Sequence, residues 1–291
     1  MARIGTGQSS GNMYAIAVAA LAGVLFFGIL MWPSGSDGPA RSAELEATPL
    51  TTMLDDAATH RYLAALERVK PAVAKRLHRD AADAIASGAN ADAVAVMVLE
   101  AHSDDLEKDA KHLLRADVKY FDQMMRMTQT GFATLSSQAP KYCRPAHYQR
   151  FEHMDPTDIA EEMSEFFQYD TQAYQWIMRF NVIVLEAMED GRKSPNKYDR
   201  LNANDQMALQ ATMMKLMKRP QVAQMMRLQS KSQSEQRRAV MNMNMCSLAS
   251  DVLSVMNTLP TDTKSRLLGE LQHQTRNGDF QRVLRTVQSG I

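Results

Sequence analysis

Residues 14–32, YAIAVAALAGVLFFGILMW, run for 19 residues without a charged side chain. No other stretch restricts the chain so severely. As a helix this run reaches roughly 28 Å, close to the ~30 Å hydrocarbon core of a bilayer. Nine of its residues are Leu, Ile, Val or Phe. Together these favour insertion by roughly 3 to 5 kcal/mol, and no charge opposes them. Tyr14 and Trp32 stand at its ends, where amphipathic rings suit the headgroup zones. Pro33 and the following SGSDGP stop the helix.

A cleaved signal peptide is the rival reading. Its apolar region usually spans about 7–15 residues and precedes a small-residue cleavage site. The present run is longer, and Gly38-Pro39-Ala40 matches such a site poorly. The expectation is a retained single-pass anchor that meets membrane lipid through residues 14–32. Arg3 and the α-amino group precede it; Asp37, Arg41, Glu44 and Glu46 follow. This near balance of Lys and Arg gives a mild preference for a cytoplasmic N-terminus. The bulk of the chain is then expected on the periplasmic side of an inner (cytoplasmic) membrane.

The 291-residue chain as a whole is rich in helix formers, includes 22 Met and is only 7% aromatic. Alternation of Val, Thr and Ile is scarce. The expected fold class is all-α: an N-terminal transmembrane helix, a linker, then an irregular multi-helix bundle. Residues 1–13 read as a disordered tail, 33–50 as a flexible linker and 51–291 as the helical domain, with a candidate sub-boundary at 191–204.

Within that domain, Leu54, Ala58, Tyr62, Leu66 and Val69 recur at helical spacing, and Val73, Leu77, Ala81 and Ile85 continue beyond Pro71. A short apolar helix follows over 91–101. Ser103, with Asp104 and Asp105, predicts the start of a helix of about 34 residues. A second long helix is expected from about Thr157 to Asp190, closed by Gly191 as a C-cap. Further helices are expected near 205–218, 220–230, 234–259 and 261–276, with a last one from Asp279. Gln123-Met124-Met125-Arg126 recurs as Gln224-Met225-Met226-Arg227, an echo that chance explains in so Met-rich a chain.

Net charge is zero, which argues against a nucleic-acid partner. The balance conceals segregation. Residues 152–191 hold 10 acidic side chains against 1 basic, and 192–291 hold 16 basic against 7 acidic. Either the acidic helix packs beside the basic tail, or one of the two faces a partner or an anionic surface.

The two cysteines, Cys143 and Cys246, are disulfide candidates if the domain lies in an oxidising compartment. Around the first lies the least ordinary loop, 137–157, interrupted by Pro140, Pro145 and Pro156. Its Tyr142, Arg144, His147, Tyr148, Arg150 and Phe151 are residue types enriched at interface hot spots and form the candidate interface. Met241, Met243, Met245 and Cys246 are soft ligands of the kind Cu(I) prefers. Read as mid-helix, the segment places only Met241 and Met245 on one face, so Met241, Met245 and Cys246 are a weak metal candidate. His-based zinc or di-iron motifs, a Gly-x-Ser-x-Gly elbow and a Gly-rich phosphate loop are all missing from the sequence. No catalytic residue and no cofactor is therefore assigned.

The leading expectation is a membrane-anchored interaction or assembly module of a bacterial envelope complex, with a protein partner or a second copy as its ligand. The alternatives are a Met/Cys-rich copper handler, a helical carrier of lipid or a small ligand, and an enzyme using the 137–157 loop.

Overall fold

The computed structural model describes residues 48–101, 111–149, 168–228 and 230–276. The expected anchor at 14–32 lies outside the described residues, as do Arg150, Phe151, most of the acidic stretch and the helix expected from Asp279. The described residues form twelve α-helices and one 3₁₀ turn, with no strand among them.

The first helix, α1 (Pro49–Met53), begins slightly before the expected domain boundary. Thr48 starts it with a capping box to Thr51. Asp56 caps α2 (Ala57–Val69) by accepting from the amides of Ala58 and Thr59. Pro71 opens α3 (Pro71–Ala86) at a position where its missing N–H costs nothing. Gly88, in the left-handed region, turns the chain into α4 (Ala91–Glu100), capped by Asn90.

The expected 34-residue helix does not run through. The chain turns at 114–117, and Asp117 caps a new helix, α5 (Val118–Gln138). The end of α7 (Gln172–Lys193) holds this break open. There Asp190 accepts from the Asp117 amide at 2.8 Å, and Gly191 lies against the backbone of His112 and Ala116. Gly191 is thus a buried residue inside α7, not the C-cap expected from the sequence. Its role is to let two backbones meet where a Cβ would collide.

The core forms mainly where α7 lies along α2 and where α11 (Met245–Met256) lies along α5, the two most extensive helix pairs. Trp176, Tyr62, Tyr174 and Phe180 are the largest fully buried side chains. Trp176 stacks on Phe180, with ring centroids 5.0 Å apart. The Tyr174 hydroxyl reaches Thr59 at 2.7 Å, so a polar tip inside the core is matched.

Residues 194–202 are extended rather than helical, yet they are pinned along their length. The Asn196 amide donates to the Arg115 carbonyl at 2.8 Å, and the Tyr198 hydroxyl to the Ala116 carbonyl at 2.6 Å. Arg200 grips Glu270 of α12 (Thr261–Arg276) through two 3.0 Å bonds. Gly269 of α12 packs against the backbone of Tyr198 and Asp199. The same core cluster includes Leu253, Leu267 and Leu271 alongside residues of α2 and α7.

Between this strap and α11 the chain builds three helices: α8 (Ala203–Met217), α9 (Pro220–Leu228) and α10 (Gln233–Asn242). The helix expected over 234–259 breaks at Met243, whose backbone is extended; Asn244 then caps α11. Neither α9 nor α10 buries a single residue.

Candidate interaction surface and its disulfide

Cys143 and Cys246 are bonded to each other, with Cα atoms 5.2 Å apart across 103 positions of sequence. Two short elements bring them together. Pro140 starts the 3₁₀ turn Pro140–Cys143 after α5 ends, and the Asn244 cap starts α11. Asn244 also donates to the Ser136 hydroxyl at 2.9 Å, which ties the N-terminus of α11 to the end of α5. The bridge lies in a small second core with Leu135 and Ala173, flanked by the half-buried Phe132, Ala139 and Tyr142.

The 137–149 stretch is therefore helical where a loop was expected: the 3₁₀ turn is followed by α6 (Pro145–Gln149). The aromatic residues expected to face a partner meet one another. Tyr142 and His147 pack edge to face at 5.1 Å, and His147 and Tyr148 at 5.2 Å. The Tyr148 hydroxyl donates to the Tyr142 carbonyl at 2.8 Å. Burial, with the Tyr142 hydroxyl nearby, pushes the Tyr148 phenol up to about 12. Lys141 sits over the Tyr142 ring at 4.6 Å. Of the candidates within the described residues, Arg144 is exposed, while Tyr142, His147 and Tyr148 are each half-buried.

The weak metal candidate loses its geometry. Met241 belongs to α10 and Met245 to α11, so the two do not share a face of one helix. Met243 between them is buried. The sulfur of Cys246 is committed to Cys143, which removes the thiolate that a soft metal would need. Among the described residues no three His, Cys, Asp or Glu side chains gather in a metal-binding group.

Many of the described charges pair with one another, several of them across long stretches of sequence. Of the acidic helix, Glu189 meets Arg68 at 2.8 Å and also Lys193. Hydrogen bonds from Lys193 and Arg68 hold the Glu189 carboxyl below its ordinary range. Basic residues of the C-terminal third instead meet Asp122, Asp205, Asp251 and Glu270. Among these pairs Asp205 meets Arg266 at 2.6 and 2.9 Å, with the Thr263 hydroxyl donating to the same carboxylate at 2.8 Å. Asp205 is only 1% exposed. Burial pushes its carboxyl up, but Arg266, the Asn202 amide and Thr263 outweigh that and hold it below its usual range.

One surface was not singled out from the sequence. The large hydrophobic side chains that stand exposed among the described residues are Met207, Met214, Met217, Met225, Met226, Val240 and Met245. All lie on α8 to α10 and the first residue of α11. Residues 203–245 also carry 7 basic side chains against 2 acidic, and no aromatic residue. The signal was available as Met spacing in a basic stretch, but Met is read by default as core filler. No helix among the described residues is long and apolar enough to cross a membrane. No family model, curated protein or solved structure matches the chain.

Proposed function

We propose that this protein is a single-pass, membrane-anchored helical module that works by contact with a protein partner or a second copy in a bacterial envelope complex. The observation that carries the reading is the Cys143–Cys246 disulfide. Such bonds persist in oxidising compartments, including the periplasm. The uncharged run at 14–32 supplies the route by which a domain on that side stays tied to the membrane. In this reading the helical body acts by binding and performs no catalysis.

The test combines two treatments of cells that express the full chain. Membranes are washed with alkaline carbonate, and cells with a permeabilised outer membrane are exposed to protease. The reading expects the chain to stay in the membrane pellet and its helical domain to be digested without lysis. Release by carbonate, or digestion only after lysis, overturns it.

A further inference from the structure

The chain contains the same four residues twice in very different surroundings. In α5, Met124 and Met125 of Gln123–Arg126 are 3% and 1% exposed. In α9, Met225 and Met226 of Gln224–Arg227 are 40% and 47% exposed. An identical local pattern is covered in one place and bare in the other. The bare copy does not stand alone. On α8, Met207, Met214 and Met217 recur at intervals of seven and three and share one stripe. On α9, Met225 and Met226 stand three and four positions after Val222, again on one side. Scattered exposed apolar residues need no explanation, whereas a concentration of them on one arm marks a binding surface.

The chemistry of the arm selects its occupant. Lys215, Lys218, Arg219, Arg227, Lys231, Arg237 and Arg238 are interleaved with these methionines, which makes the arm strongly basic. Met and Arg are enriched in protein interfaces, and flexible thioethers suit the reception of an amphipathic helix. A membrane-surface helix would typically carry Trp, Phe or Leu on its apolar face. The arm has no Trp and no Phe, and its exposed apolar side chains are methionines and one valine.

We propose that α8 to α10 form a docking surface for an acidic amphipathic helix of a partner protein. The methionines receive its apolar stripe, and Lys218, Arg227 and Arg237 face its carboxylates. This inference deepens the interaction-module reading and rests on it by naming the chemistry of the partner.

The test uses the full chain in neutral phosphatidylcholine nanodiscs. It is titrated with a fluorescent synthetic helix that carries Leu on one face and Glu on the other, and binding is read by anisotropy. A control helix has Lys at each Glu position. The Glu helix is expected to bind, the Lys helix not to bind, and affinity to fall as salt rises toward about 1 M. Met214→Ser with Met225→Ser and Met226→Ser should weaken binding roughly tenfold or more. Lys218→Glu with Arg227→Glu should do the same. Neither set should shift the denaturation midpoint, because none of these side chains is buried. No binding of the Glu helix, equal binding of the Lys helix, or unchanged affinity in both variants overturns the proposal. So does a variant-sensitive association with phosphatidylglycerol vesicles in place of peptide binding, which would make the arm a lipid-binding face. Failure of the anchor is distinguishable: it appears as carbonate-extractable protein that still binds the Glu helix.

Discussion

Gly191 of α7 and His112 touch backbone to backbone: a Cβ built on Gly191 would run into the His112 carbonyl oxygen and approach the Ala116 amide nitrogen to 2.9 Å. This contact explains why the chain turns at 114–117 when its periodicity alone predicts one long spine. The end of α7 packs closely on this turn and accepts the Asp117 amide through Asp190.

Gly191→Ala should therefore be costly. The atoms it meets are backbone and cannot swing away, so the loss should reach about 3 kcal/mol, the upper end for overpacking. Urea denaturation of the detergent-solubilised chain measures it. Gly88→Ala is the informative contrast. Gly88 has open space around it, but its backbone is left-handed, so only a strain of about 1–2 kcal/mol is expected.

Breaking the disulfide should cost about 2–5 kcal/mol, because the bond closes a loop of roughly a hundred residues. Cys143→Ser combined with Cys246→Ser should lower the denaturation midpoint by the same amount as a reductant does in the native chain. A maleimide should label neither native cysteine until the protein is reduced. Labelling before reduction would contradict the bond.

Asp205 predicts an acid limb in the stability profile. Its folded pKa lies below the unfolded value of about 3.9, so its contribution is complete above that value and is lost as pH falls through the lower, folded value. Asp205→Asn should lower stability at neutral pH, since Arg266, Thr263 and the Asn202 amide lose their shared carboxylate. The same variant should lose less than the native chain between neutral pH and about pH 3. Denaturation midpoints at the two pH values test both statements.

The two copies of Gln-Met-Met-Arg offer an internal control. Met124→Ala and Met125→Ala should each cost about 2–5 kcal/mol through cavity formation. Met225→Ala and Met226→Ala should each stay within about 0.5 kcal/mol. Equal losses at the two sites would mean that the α9 copy is buried in solution.

Much of the architecture is legible in local pattern. The faces expected from Leu54 to Val69 and from Val73 to Ala81 are buried, as are Phe121, Met125, Thr128 and Leu135. Helical spacing records which side of a helix is apolar, and that side faces the core whenever a neighbour is available. The cysteine pair is legible because the chain has two cysteines and no third to compete for the bond. The aromatic cluster around Tyr148 was legible as a composition but not as an arrangement. Hot-spot residue types attract one another as readily as they attract a partner, and Tyr142, His147 and Tyr148 meet within one turn.

By itself, then, the sequence determined the helical class and the apolar stripes, because each depends on residues within a few positions of one another, and it supplied the two cysteines of one bridge. Only the tertiary structure decided where the long periodic runs break, at Asp117 and Asn244, and what Gly191 is for. It also decided which of two identical tetrapeptides is covered. Burial is a relation between distant segments: Met125 is hidden because other helices lie over α5, whereas α9 packs on α8, α10 and α11 and still leaves Met225 and Met226 exposed.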